Sequence, residues 1–145
     1  MSPCWAVMAL LDRPLSRDYD AAFVNEGPLA WLARQASKPG RPDAEAWLLH
    51  ANPEWSEAHL EEAPEEITRQ LLDAASSLPG ASPFQENHAD AHRWRYALAG
   101  QPLQEGALWY ENRQLALAGD WCHGSRVEGA FLSGVAAAGR IMAAR

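Results

Sequence analysis

The chain has 145 residues, 48% hydrophobic and 21% charged, with a formal net charge of −7, the size and balance of one globular domain rather than of a disordered segment. The acidic excess leaves no basic stripe to neutralise phosphates, which argues against nucleic acid as a partner. No apolar run approaches the roughly 18 residues of a membrane span, no basic-then-apolar leader opens the chain, and Cys4 and Cys122 form no paired motif. The setting expected from these features is soluble, reduced and cytoplasmic.

The first apolar run, Pro3 to Leu11, is short, rich in β-formers and bounded by prolines, so it reads as a buried strand. Ala21 to Asn25 gives a second short strand before the turn Glu26-Gly27-Pro28. Leu29 to Ala36 is ambiguous between strand and helix, and Lys38-Pro39-Gly40-Arg41-Pro42 ends it. Ala46 to Ala51 is again of strand length. At Asn52-Pro53-Glu54 an N-cap residue precedes Pro at the first helical position, which predicts a helix over Glu54 to Glu62. Pro64 starts a longer one whose apolar stripe is Ile67, Leu71, Leu72 and Ala75, and Pro79-Gly80 closes it.

Asn87 to Leu98 alternates, with His92, Trp94 and Tyr96 facing one way and Arg93 and Arg95 the other, which is strand periodicity. Trp109 to Arg113 and Leu115 to Ala118 complete the strands, and a helix follows from about Val127 to Ala144. Strands and helices in separated blocks predict a single domain over 1–145, of α+β class, with a mainly antiparallel sheet, a short helical pair and a C-terminal helix after the last strand.

Three groups of residues could carry chemistry. The stretch Leu115–Gly134 runs strand, Gly119-Asp120, loop, helix, and a helix starting near Val127 exposes its first amides at the positive end of its dipole. Gly129 would let a ligand touch backbone, and Asp120 could accept hydrogen bonds from ligand hydroxyls. The same glycines equally suit tight packing of a helix on a sheet, and Asp120 could simply cap the loop. Second, His88, Asp90 and His92 share one strand face but spread over roughly 13 Å, too far for the two histidines to share a metal. Cys122-His123 has no second pair to complete a four-ligand site, so no metal is expected. Third, Lys38 is the only lysine, set with Arg41 in a rigid turn. It is either plain surface or an anion-contacting or catalytic group if the turn faces a pocket.

The ordered motifs PCWAVM, FVNEGPLAWLARQASKPGR, WLLHANPEWSEAHLE, HRWRYALAGQPL and LALAGDWCHGSRVEGAFLSGVAAAGRI run along almost the whole chain. Together they resemble the C-terminal half of renalase-like NAD/FAD-dependent oxidoreductases, within the flavin-containing amine oxidase superfamily. The resemblance implies FAD as cofactor, contacted by Gly119-Asp120 at the end of the last strand. It also implies contact by the opening of the helix at Arg126, Val127, Glu128 and Gly129, whose amides would face the pyrimidine oxygen of the flavin. It further implies a substrate-domain sheet covering the flavin, with Lys38, Trp94 and Arg93 near the reacting face.

The implied chemistry is hydride transfer from an amine or dihydronicotinamide-type small-molecule substrate to FAD, with reoxidation by O₂. The family's opening G-x-G-x-x-G, which holds the pyrophosphate, occurs nowhere in the sequence. The chain is therefore expected to be a fragment or split subunit that binds FAD weakly or not at all alone. An alternative of another class is a non-catalytic interaction module, pairing with itself or with a separate Rossmann-type chain through an exposed apolar face.

Overall fold

A computed structural model describes residues 1–144. They divide into two compact units, one of Pro3–Arg95 and one in which Met1–Ser2 joins the chain from Tyr96 onward. The class is α+β, with a mostly antiparallel five-stranded sheet, a separate two-stranded sheet and a helix following the last strand.

The first unit is built on the five-stranded sheet. Its strands are β1 (Ser2–Leu11), β2 (Ala21–Phe23), β3 (Leu29–Arg34), β4 (Ala46–Ala51) and β5 (Glu86–Leu98), in the order β2-β3-β4-β1-β5. Neighbours from β2 to β1 pair antiparallel. Leu29–Ala36, ambiguous from periodicity alone, is strand to Arg34 and then a 3-10 turn over Gln35–Ser37. Between β4 and β5 lie α1 (Pro53–Ala58) and α2 (Pro64–Ser76).

Asn52 caps α1 by accepting the Trp55 amide at 2.7 Å, and Pro53 occupies the first turn. The helix stops at Ala58, short of the predicted Glu62. The His59 carbonyl is taken by the Trp5 indole at 3.1 Å, and Ala63 before Pro64 is extended, as a residue preceding proline must be. In α2 the stripe Ile67, Leu71, Leu72, Ala75 is buried as the periodicity predicts. It packs with Trp5, Val7, Leu32, Trp47 and Leu49 into one core on this side of the sheet. Complete burial of each Leu or Ile contributes about 1.5–3 kcal/mol. Two polar groups in this core have partners: Ser56 Oγ accepts the Trp5 amide at 3.1 Å, and the Trp47 indole donates to Glu45 Oε2 at 3.2 Å.

The second unit holds β6 (Leu108–Tyr110), β7 (Leu115–Leu117) and α3 (Val127–Ala143). The predicted strand Trp109–Arg113 ends at Tyr110, because Glu111–Arg113 forms a 3-10 turn closed by Gln114 at φ 48°. That turn brings β7 back antiparallel onto β6. On α3 the residues that bury are small: Gly129, Ser133 and Ala137. Among the described residues no helix is long and apolar enough to cross a membrane.

Candidate functional site

In the second unit, the strand–loop–helix turns on Asp120. Its main-chain carbonyl accepts three amides, those of His123, Gly124 and Ser125, at 2.9–3.0 Å, and its Oδ1 accepts the Trp121 amide at 2.9 Å. The second carboxylate oxygen has no partner among the described residues. The loop therefore has its shape set largely by one residue.

Gly119 is extended, a conformation open to any residue. What requires glycine is the indole of Trp121, which lies where a Cβ would stand. The Gly119 amide donates to the buried Ser133 Oγ at 3.0 Å, tying the loop to α3. Gly129 is buried, and a Cβ there would sit 3.2 Å from the His123 carbonyl oxygen, closer than side chains normally pack. Both glycines thus have packing reasons that spacing alone could not separate from ligand contact.

The opening of α3 is different. Arg126 at the N-cap provides no side-chain cap, and the first amide to find a helical acceptor is that of Ala130, on Arg126 O at 3.0 Å. Among the described residues the amides of Val127, Glu128 and Gly129 have no partners, and Val127 is 91% exposed. This donor set fits a polar or anionic group of a dinucleotide cofactor, and the spare oxygen of Asp120 fits one of its hydroxyls. The fit lies in the helix terminus and the carboxylate, not in an open cradle at Gly119.

In the first unit, the sheet has two unlike faces. One carries the core and both helices. On β5, Ala89 and Ala91 pack against that core, and Arg93 follows them. Its guanidinium lies 5.5 Å from the Trp5 ring centroid and donates to the Leu60 carbonyl and to Glu61 Oε2. Arg95 joins the same carboxylate at 2.7 Å, and these two cations hold Glu61 below the usual carboxylate range, Arg95 foremost. Alternation then turns His88, Asp90, His92 and Trp94 to the opposite face. His92 and Trp94 meet there with ring centroids 4.5 Å apart, and His88 Nε2 lies 3.2 Å from Asp90 Oδ2. Trp94 and Arg93, both placed near the reacting face by the resemblance, lie on opposite faces of the sheet, as their alternation predicts.

Lys38 follows the 3-10 turn after β3 and is exposed, its Nζ donating to Gln35 Oε1 at 2.8 Å. It acts on His50 of β4, whose imidazole is held below its ordinary range first by burial and then by the Lys38 charge. His50 belongs to the face opposite the core, since Trp47, Leu49 and Ala51 of the same strand point into it. Sequence reasoning passed over His50 and its ring partner Trp31, 5.2 Å away. The AWLLHA alternation could have flagged His50 as facing away from the core; nothing in the sequence shows that Trp31 faces it. Among the described residues no group of three or more His, Cys, Asp or Glu side chains could hold a metal ion.

Thus the flavin-contact candidates Gly119, Asp120, Arg126, Val127, Glu128 and Gly129 lie together in the second unit, while Lys38 and Trp94 belong to the first. The sequence profile of the flavin containing amine oxidoreductase family matches residues 27–142, from the turn before β3 almost to the end of α3, and the chain belongs to that family.

Proposed function

We propose that this chain is the substrate-side portion, with the final cofactor-contacting loop and helix, of a renalase-like FAD-dependent oxidoreductase acting on an amine or dihydronicotinamide-type substrate. The observation that carries the cofactor side is the opening of α3, where three amides have no partner among the described residues, together with the spare oxygen of Asp120 in the loop before it. Bound FAD supplies the hydride acceptor. The protein's part is to hold it: the amides of Val127, Glu128 and Gly129 favour negative charge at the helix terminus, Arg126 adds a cation beside them, Asp120 accepts from hydroxyls, and Gly119 keeps Trp121 seated. On the substrate side, Trp94 offers a ring face and Lys38 a positive charge, while Arg93 acts as a positioning residue that pins β5 to the α1–α2 connection.

In this reading a dinucleotide-binding half on a separate chain completes the cofactor grip, and the exposed face of α3 receives it. Val127, Phe131, Val135 and Met142 are all solvent-facing on that helix, which also favours the second reading, an interaction module that pairs through the same face without catalysis. Flavin absorbance and fluorescence on titrating the pure chain with FAD, with and without a separately expressed G-x-G-x-x-G half of the family, test both. The expected result is stoichiometric flavin only in the mixture, lost on Asp120→Ala. Stoichiometric flavin on the chain alone overturns the split grip. A mixed complex without flavin overturns the enzyme reading in favour of the module.

A further inference from the structure

The face of the first unit's sheet opposite its core carries a feature that neither the family match nor the cofactor reading assigns. Phe23 of β2 pairs with Trp31 of β3, Trp31 with His50 of β4, and His50 with Ala6 of β1. Four strands thus place three rings in one transverse row beside a small residue. Trp31 is there because of a bulge: pairing jumps from Leu29↔Ala51 to Trp31↔His50, so Ala30 is the extra residue. Without it, alternation from the buried Leu29 would put Trp31 in the core. Bulges re-aim single side chains in this way, commonly beside functional sites.

The row is open. Phe23 is 84% exposed, Trp31 and His50 are half-buried, and among the described residues neither His50 ring nitrogen has a hydrogen-bond partner. The charge acting on it is that of Lys38, whose Nζ uses one of its donors on Gln35. An imidazole beside ring surface, with a lysine charge acting on it, disfavours a cation and complements an anionic group attached to a flat ring.

We propose that Phe23, Trp31, His50 and Lys38 form a subsite for a planar aromatic ring bearing a carboxylate, so that the amine this protein oxidises is of the aromatic amino-acid class. The ring lies on Trp31 and Phe23, and the carboxylate accepts from His50 and from Lys38. The assignment of the subsite to the substrate rests on the enzyme reading above; the binding itself does not.

The test follows the His50 ring signals by NMR in the full chain, assigned by H50Q, during titration with indole-3-acetate, uncharged indole and tryptamine. Indole-3-acetate is expected to shift His50 and to bind about tenfold tighter than tryptamine, with indole between, as charge-assisted hydrogen bonds in a half-buried site allow. Lys38→Met, on an exposed turn, is expected to narrow that gap to about twofold, as loss of the cation requires. Trp31→Leu is expected to weaken all three ligands. Tryptamine binding as tightly as indole-3-acetate, an unmoved His50, or a gap unchanged by Lys38→Met overturns the subsite. If FAD never binds the mixed chains while indole-3-acetate still shifts His50, the enzyme reading falls and the subsite stands. If FAD binds and His50 stays unmoved, the subsite alone falls.

Discussion

The two units differ in what their helices manage to bury. In the first, α2 turns Ile67, Leu71, Leu72 and Ala75 onto a sheet that supplies two tryptophans and several leucines, and these side chains are shielded from solvent. In the second, α3 buries Gly129, Ser133 and Ala137, while Phe131 is 70% exposed and Met142 nearly as much. α3 is the more apolar helix, yet it has the smaller core. A helix buries its large side chains only where an opposing surface offers enough area, and β6 and β7 are three residues each.

The sharpest test of that contrast pairs Leu71→Ala with Phe131→Ala in thermal and denaturant unfolding. Leu71→Ala removes a wholly buried side chain from a closed core, with an expected loss of about 2–5 kcal/mol. Phe131→Ala is expected to change stability within about 0.5 kcal/mol, as for surface positions generally. Equal losses would mean that α3 is covered in solution, and the contrast would break.

Next in size, Gly119→Ala puts a methyl where the Trp121 indole lies, costing about 1–3 kcal/mol as overpacking does. Because the strain is local to the second unit, the signal to watch is tryptophan emission before the main transition. An unperturbed Trp121 would show that the loop has other room.

The smallest effect distinguishes the two sheet faces. Burial and Lys38 hold His50 below its ordinary value near 6.5. Below that pH the unfolded chain takes up a proton that the folded chain resists, so stability rises with pH through the window just under 6.5 and declines as the pH falls through it. Stability profiles of the wild type and His50→Gln are expected to diverge in that window, with the variant flatter. Glu61 on the helix side has a lowered carboxylate, so its contribution is present at neutral pH and is lost as pH falls through its own depressed range. Superimposable His50→Gln and wild-type profiles would place His50 in open solvent.

Local features were legible wherever the reason for them is local. The Asn52-Pro53 cap, the α2 stripe, the alternation that opposes Arg93 to Trp94, and the start of α3 at Val127 all follow from backbone geometry and side-chain period over a few residues. The α+β class followed from their order along the chain. The cofactor candidates could be named because family motifs mark them, but their spacing left packing and ligand contact equally open.

Tertiary structure decided the rest, because the atoms responsible come from distant parts of the sequence. Arg93 is occupied by Trp5, Leu60 and Glu61, residues brought to it only by the sheet and α1. Ser133 reaches back to the Gly119 amide. Trp31 meets His50 only because one unpaired residue, Ala30, shifts the register of β3 against β4. Side-chain period set which way each residue could face; the pairing of strands chose which of those faces met.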